Sequence, residues 1–454
     1  MPVKPIPESR ALYRGTAKTL VNELRIVFPK AKFEFTDVGA IDVPREGSEG
    51  FRIKPRIIWD AASKRVFAFI YGADLQEAQQ AVILHPLQAP DVLDLQFART
   101  YMRVFETDLS NAPLTLKHNE LWEALGHSRT SRAISRLTAF STPAFLHWLN
   151  TFEAAAHLRY EGDAFHASVF LTKKIQWITD VASAGFIPFE YPLPFRQALL
   201  REKWVRTLAG GADIGLVGLG HAGDIVGVVT VPNFAHDVAD KRVLPSDLRG
   251  AVSLVRPGTM ALLAANNGDL YVVLPSGAVF VKSQGAWQYL NYRSFQALLS
   301  QYVPEALAQI VLQLAVDLSF ARRGSLLCLP KDLNSITSLV PDHLNPKRPN
   351  RALRQAAANI VLDSEAQLPA LRGIAGADGA IVIGDNGRVL DAACMIGQPD
   401  ERALNAVGVN QLQRFEGART TAAWNASIFG VAIKISDDGP ISLFAGGRLV
   451  GQIG

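Results

Sequence analysis

The chain has 454 residues, 48% hydrophobic and 19% charged, a globular composition that excludes a mainly disordered protein and leaves room for about three domains at roughly 150 residues each. Its 46 Lys+Arg against 42 Asp+Glu give a net charge of +4, a small surplus that argues against a nucleic-acid binder, and residues 301–454 are balanced with 14 basic and 14 acidic side chains. Two cysteines, Cys328 and Cys394, exclude a disulfide framework or a four-thiolate zinc site. No apolar run approaches the roughly 18–20 residues that span a bilayer, and Met1–Arg14 has no apolar leader core, so a cytoplasmic protein with no membrane role is expected.

Along the chain, residues 15–28 carry a helical stripe at Leu20, Val21, Leu24 and Val27. Phe51–Trp59 and Val66–Tyr71 read as strands, the first confined to a sheet edge by Pro55. Glu120–His157 is helix-rich, broken and restarted at Ser141-Thr142-Pro143. From Ile214 to Tyr292 short β-prone runs alternate with Gly, Asn and Pro: Ile225–Val231, Leu270–Leu274 and Ala278–Lys282, with Asn266-Asn267-Gly268 as a hairpin-type turn. Boundaries near 150 and 300 divide an N-terminal segment (1–150), a β-rich middle segment (151–300) and a C-terminal segment (301–454).

The last segment reads as a long helix over Val303–Arg323 stopped by Gly324, a buried strand at Ser325–Leu329, and a second helix over Asn350–Asp363 after the proline-rich loop Pro341–Pro349. Strands follow at Ala380–Ile383, Val389–Met395, Val431–Ile435 and Ile441–Ala445. The order αβαββαββ predicts a mixed sheet covered by helices.

The loudest motif is Gly218-Leu219-Gly220-His221-Ala222-Gly223, which spells G-x-G-x-x-G. A dinucleotide fingerprint needs a helix directly after the glycines to carry the pyrophosphate. Here the β-branched run Asp224–Pro232 follows, so the motif is read as a tight turn between strands. A quieter set lies further on. Asp378-Gly379-Ala380 puts an acid and a glycine at the mouth of an apolar strand. Gly417-Ala418-Arg419-Thr420-Thr421 opens a helix with a cation, two hydroxyls and free N–H groups, which suits a phosphate. Ser436-Asp437-Asp438-Gly439 forms an acidic turn, and Asp378 with Asp437 or Asp438 has the oxygen chemistry to hold Mg²⁺ or Mn²⁺ beside a phosphate.

In this order the features resemble the diadenylate cyclase domain, the nucleotidyltransferase module at the N-terminus of the DNA integrity scanning protein DisA. The long helix ending in Arg322-Arg323-Gly324-Ser325 before an apolar strand is similar to that family's Arg-x-Gly-Ala. Asp378-Gly379-Ala380 matches its Asp-Gly-Ala, and Gly417–Ala423 falls on its Gly-Thr-Arg-His-Arg-Ala-Ala. Ile435-Ser436-Asp437-Asp438 falls on its Val-Ser-Glu-Glu, before a closing Gly446-Gly447-Arg448-Leu449. The resemblance covers about residues 303–454. It implies an α/β (α+β) fold whose C-terminal mixed sheet is flanked by helices and preceded by one or two further α/β domains. It also implies ATP-type binding, with condensation of two ATP into cyclic di-AMP at a homo-oligomer interface in active members.

On this resemblance Asp378 is the catalytic residue, assisting together with the metal. Gly379, Ala380, Gly417, Arg419, Thr420, Thr421 and Ser436 bind the nucleotide, and Asp378, Asp437 and Asp438 hold Mg²⁺ or Mn²⁺ when a triphosphate is bound. The chain departs from the family where Arg-His-Arg reads Arg419-Thr420-Thr421, losing an imidazole and a cation, each a charge-assisted contact of about 1.5–3 kcal/mol. A sensor of a nucleotide or cyclic dinucleotide is therefore expected ahead of an active diadenylate cyclase. One further echo is noted: Gly218–Pro232 and Arg322–Pro330 both run from glycine into an apolar strand ending at proline, as if the middle segment were a diverged relative of the same module.

Overall fold

The computed structural model describes residues 7–37, 56–71, 78–111, 119–160, 163–164, 167–182, 185–209, 213–232, 243–265, 268–345, 347–363 and 365–454. The first half of the strand expected at Phe51–Trp59 and the turn residues Asn266-Asn267 lie outside the described residues, as does the extreme N-terminus. The chain divides into two compact units, residues 1–232 with 251–290 and residues 233–250 with 291–454.

The earlier unit opens with α1 (Pro7–Leu24), whose Leu20, Val21 and Leu24 are buried as the stripe predicts. Strands β1 (Lys32–Asp37), β2 (Ile57–Asp60), β3 (Arg65–Tyr71) and β4 (Ala78–His85) form an antiparallel sheet in the order β1-β4-β3-β2, which leaves β2 at the edge. Helices α2 (Val92–Asn111), α3 (Asn119–Leu137) and α4 (Thr142–Ala156) follow, with Pro143 in the first turn of α4. The fully buried Arg129 of α3 is neutralised by Glu23 (2.6 Å) and Asp108 (2.8 Å), so its charge is paired rather than stranded in the core.

After the short hairpin β5 (Arg159–Tyr160) and β6 (Asp163–Ala164), the chain passes through β7 (Ala167–Thr172), α5 (Ile175–Ala182), β8 (Ile187–Leu193), α6 (Phe195–Leu200), α7 (Lys203–Ala209), β9 (Ile214–Leu219), β10 (Asp224–Thr230), α8 (Ser246–Leu254), β11 (Thr259–Ala264), β12 (Leu270–Val273), β13 (Val279–Ser283) and β14 (Ala286–Leu290). These strands make an eight-stranded sheet, β14-β13-β12-β11-β7-β9-β10-β8, in which β7 and β9 run parallel and the other neighbours antiparallel. The boundary expected near 150 falls inside α4, and a single hydrophobic cluster from Ala17 to Tyr289 joins α1–α4 to this sheet.

The G-x-G-x-x-G stretch is the turn of the antiparallel β9–β10 hairpin and leads into no helix. Gly220 and Gly223 have φ of +76° and +70°, backbone that L side chains rarely adopt. The indole N–H of Trp148 donates to the Ala222 carbonyl at 2.9 Å, and a β-carbon on Gly223 would sit 2.5 Å from that nitrogen. The glycines therefore serve chain reversal and close packing.

The later unit comprises α9 (Tyr292–Leu299), α10 (Glu305–Phe320), β15 (Ser325–Pro330), α11 (Ile336–Leu339), α12 (Arg351–Ala357), α13 (Leu368–Ala375), β16 (Ala380–Ile383), β17 (Val389–Cys394), α14 (Glu401–Ala406), α15 (Ala418–Ser427), β18 (Gly430–Ile435), β19 (Ile441–Ala445) and β20 (Arg448–Ile453). Its sheet runs β17-β16-β15-β18-β19-β20, with β15 and β16 parallel and the other pairs antiparallel. This is the expected α+β architecture, a C-terminal mixed sheet flanked by helices. One face of the sheet packs Leu326, Cys328, Val382 and Ala432 against Trp424 and Ala426 of α15. The alternate residues Leu327, Ile381 and Ile433 are buried on the other face.

The helix expected over Asn350–Asp363 stops at Ala357. Its apolar tail is taken by the sheet: Val361 bridges Arg388, Leu362 N–H donates to Gly387 O at 2.8 Å, and Val389 N–H donates to Ile360 O at 3.0 Å. No helix among the described residues is long and apolar enough to cross a membrane.

Gly223→Ala is expected to weaken local protection of the β9–β10 hairpin by about 2–4 kcal/mol, combining positive-φ strain with overpacking against Trp148. Gly220→Ala meets nothing within 4 Å and should cost only about 1–2 kcal/mol of backbone strain. Native-state hydrogen exchange on the two variants checks the difference.

Candidate functional site

Helix α10 ends in a Schellman arrangement, with Arg323 N–H donating to Leu318 O (2.9 Å) and Arg322 N–H to Ser319 O (3.1 Å). Arg322 holds the left-handed position, φ +53°, where glycine is usual. The chain then passes Gly324 and enters β15. Register places the sequence motifs around this point. Leu326 pairs with Ala380, so Asp378 flanks Gly324 on one side, and Ser325 pairs with Ile435, so Ser436 flanks it on the other. The parallel β15–β16 pair and the antiparallel β18 thus bring the Asp-Gly-Ala motif and the acidic turn to the same end of the sheet. Helix α15 leads into β18, so its N-terminus returns to that end too.

Two of the expected groups, Arg419 and Asp437, meet at Gly324. The Arg419 guanidinium lies 3.2 Å from one carboxylate oxygen of Asp437, and the Gly324 N–H donates to the other at 2.6 Å. A β-carbon at 324 would occupy the space of both side chains, so glycine is required here for approach rather than for φ. The Arg419 hydrogen bond, opposed by slight burial and aided by the Gly324 N–H, holds the Asp437 carboxyl below its ordinary value. Arg419 is 37% exposed and Asp437 71%, so this ion pair is accessible and individually weak, about 0–1 kcal/mol. The turn itself is fastened from α10: Ser319 hydroxyl donates to Gly439 O, and the Arg322 guanidinium donates to Asp438 O.

Other expected site residues have different duties. The Thr421 hydroxyl accepts from Phe415 N–H at 3.0 Å and lies 3.3 Å from Phe415 O, so it closes the loop before α15. Ser436 closes the β18–β19 turn through its backbone, with Ser436 N–H to Pro440 O and Gly439 N–H to Ser436 O, both 3.0 Å. Gly417 is the N-cap of α15 and supplies no side-chain cap, which leaves the first-turn N–H groups at Ala418, Arg419 and Thr420 without an intrahelical partner. Gly379 has φ +115°, and a β-carbon there would sit 2.6 Å from the Ala393 carbonyl carbon. Ala380 begins β16 and is buried. Asp378 and Asp438 are exposed.

The three carboxylates expected to hold a divalent cation do not form a ligand cluster. No group of three or more His, Cys, Asp or Glu with metal-holding geometry occurs among the described residues. Asp437 is turned toward Arg419 and Gly324 instead. A divalent ion at this end would therefore rest on Asp378 and on oxygens brought by a phosphate, the arrangement Mg²⁺ commonly adopts. Both cysteines are buried, and burial pushes their thiols up, Cys394 to about 12, where the Asp391 charge adds to the effect, which disfavours a thiolate nucleophile at neutral pH.

Sequence reasoning missed a buried charge cluster that supports the Asp-Gly-Ala strand pair. Asp391 of β17 is fully buried and accepts from Arg348 (2.7 Å), from Arg354 Nε and Nη2 (2.7 and 2.8 Å) and from its neighbour Ala392 N–H (2.8 Å), with His343 Nδ1 at 2.7 Å. It ties the 341–349 loop and α12 to β17, whose Ala393 and Cys394 back Gly379. Burial alone would raise the Asp391 pKa, but hydrogen bonds from Arg354, His343 and Arg348 outweigh it and lower it. Arg323, exposed beside Gly324, also borders a cavity of about 300 Å³ with Arg372, Asp317, Phe320 and Pro369.

No protein family and no curated protein matches the chain. Among solved structures, a hypothetical membrane-spanning protein from Bacillus cereus is similar at 18% identity over 35% of this chain and 68% of that one, with a TM-score of 0.24. A likeness that distant carries no structural argument.

Asp391→Asn is expected to destabilise the later unit by about 3–5 kcal/mol, since it leaves two arginines short of their counter-charge in the interior. Because the folded pKa is depressed, the carboxylate's contribution is present above the unfolded value of about 4 and is lost as pH falls through the lower folded value. Denaturant titrations at pH 7 and in the acid range check both points. The variant's deficit should be large at pH 7 and shrink below pH 4.

Proposed function

We propose that residues 303–454 form a diadenylate-cyclase-like domain that binds a nucleotide or cyclic dinucleotide as a sensor, with cyclase turnover absent or weak. The observation that carries this reading is the convergence of Arg419, Asp437 and Gly324 at the mouth of β15, with Asp378 flanking Gly324 by register on the adjacent strand. The N-terminus of the ten-residue helix α15, one accessible arginine and backbone N–H groups suit a phosphate monoanion or diester. The Asp437 carboxylate already sits in the place an anion would take against Arg419, and its weak pairing lets a phosphate exchange for it.

The sensor reading is favoured over turnover by what surrounds Arg419. Thr420 and Thr421 stand where the family carries His and Arg, and the Thr421 hydroxyl is committed to the Phe415 backbone. Arg323 adds a second exposed cation beside Gly324, enough for a phosphodiester but short of what a triphosphate needs. Mg²⁺ or Mn²⁺ would enter only with a triphosphate, held by Asp378 and phosphate oxygens. A homo-oligomer is part of this reading, since the related chemistry is performed across two copies of the domain.

Incubation of the full chain with ATP and Mg²⁺ or Mn²⁺ is expected to give no cyclic di-AMP by chromatography, while calorimetry with cyclic di-AMP shows saturable binding. Arg419→Ala should weaken that binding about 10- to 150-fold, the equivalent of one charge-assisted hydrogen bond. Cyclic di-AMP production that Asp378→Asn abolishes would establish the cyclase instead. Gly324→Ala separates site from scaffold: it displaces only exposed side-chain tips, so the melting temperature should hardly move while binding falls as in Arg419→Ala.

A further inference from the structure

We infer that the chain carries the same module twice, in the middle of the chain and at its end, and that only the later copy binds a phosphate-bearing ligand. The second clause rests on the proposed nucleotide reading; the first stands on topology. Strands β10-β9-β7-β11-β12-β13 of the eight-stranded sheet lie in the same order as β17-β16-β15-β18-β19-β20. In both sets the lead strand pairs parallel with the next member of the order and antiparallel with the strand that follows the last helix. β8 and β14 are additions at the two edges of the earlier set.

The registers agree as well as the order. Ser168 pairs with Gly215 as Leu326 pairs with Ala380, and Ala167 with Ala264 as Ser325 with Ile435. Within the hairpins, Gly215–Val229 answers Ala380–Cys394, Ala264–Leu270 answers Ile435–Ile441, and Leu270–Lys282 answers Ile441–Ile453, each joining residues at the same separation. The turns agree too. Ala265 N–H donates to Asp269 O and Gly268 N–H to Ala265 O (both 2.9 Å), as Ser436 does to Pro440 and Gly439 to Ser436 (both 3.0 Å). Gly268 and Gly439 share positive φ, +84° and +111°. The β9–β10 and β16–β17 hairpins diverge where their bulges fall, as do β12–β13 and β19–β20, but two unrelated mixed sheets would not share strand order, direction, the starting register of every pair and a turn. The counterpart of β15 is thus β7, and the sequence echo of Gly218–Pro232 with Arg322–Pro330 compares strands that occupy different places.

The same registers place the site residues of one copy on those of the other. Asp213 stands two residues before Gly215 as Asp378 stands two before Ala380, each ending a Gly-Ala-Asp triplet in the sequence. The remaining charges are lost. Asn266-Asn267 replace Asp437-Asp438 in sequence, and Leu248 stands eleven residues before Thr259 as Arg419 stands eleven before Gly430, the residues that begin the matching strands β11 and β18. The start of α8 is also occupied: Ser246 donates its N–H (2.8 Å) and its hydroxyl (2.9 Å) to the buried carboxylate of Asp317 on α10. An apolar residue in the cation's place and a carboxylate already on the helix start both oppose a phosphate. The earlier copy keeps the scaffold and lacks the charge to hold the ligand, so the chain takes one ligand and not two.

Calorimetric titration of the full chain with cyclic di-AMP, and separately with Mg·ATP, tests this by counting sites. The expected result is one equivalent per chain, weakened about 10- to 150-fold in Arg419→Ala and likewise in Gly324→Ala, and unchanged within twofold in Asp213→Asn. Two equivalents overturn the inference and leave the nucleotide reading intact; a single equivalent that is unweakened in Arg419→Ala but vanishes in Asp213→Asn overturns both. No binding of either probe by a folded chain, judged by circular dichroism, overturns both.

Discussion

The Arg419–Asp437 pair meets across Gly324, and the candidate site depends on that residue having no side chain. Arg419 comes from the start of α15, Asp437 from the β18–β19 turn and Gly324 from the approach to β15. A β-carbon at 324 would separate the two charges and displace the acid from the Gly324 N–H. The mixed sheet makes the meeting possible: a parallel neighbour on one side and an antiparallel one on the other put two strand starts and one strand end at a single edge. Arg322 then spends a left-handed backbone position to hook the turn onto α10.

Buried and exposed charges divide the work in this unit. Asp391 is removed from water and saturated by Arg348, Arg354 and His343, so it acts as a fixed brace between the 341–349 loop and β17. Breaking it exposes the full desolvation cost of the partners left behind. Asp437 and Arg419 are solvated, so their pair is replaceable at little cost. A ligand site needs both kinds. The braced strand keeps Gly379 against the β17 backbone, and the loose pair supplies a guanidinium that an incoming anion can take over.

Five of the six strands of the later unit were legible because their signals are local, and β20 was not, its run Arg448–Ile453 being read only as a closing Gly-Gly-Arg-Leu segment. β-branched and leucine runs bounded by Gly324, Asp378-Gly379 and Asp438-Gly439 announce strand limits through residues whose backbone freedom or turn chemistry is needed there. Helix α12 was overextended because Ile360–Leu362 continues a helical apolar pattern, and only the distant Gly387–Val389 segment decides that it is extended. Asp391 was invisible for the same reason. A carboxylate inside Val389–Cys394 reads as a strand-end residue until His343, Arg348 and Arg354 are brought to it across about forty positions of sequence. The pairing of Arg419 with Asp437 was not anticipated: Asp437 was expected to hold a cation and Arg419 a nucleotide, and neither spacing nor charge pattern ties the two to each other.

The inferred duplication sharpens this point, because the two copies agree in register and differ in side chains. Register is fixed by how the side chains of each strand pack on the two buried faces, and a one-residue slip would exchange Leu216 or Ile381 with its neighbours between those faces, so packing holds it under heavy substitution. The charges at the sheet end are held by no such constraint: Asn for Asp in a turn, or Leu for Arg at a helix start, leaves the strand pairings untouched. Sequence comparison tracks side chains and therefore aligned the wrong strands, taking the glycine-to-proline run of β10 as the partner of β15. A fold can thus be inherited through its pairings while its chemistry is lost one exposed residue at a time, and the copy that retains Arg419 opposite Asp437 is the one in which ligand binding is to be sought.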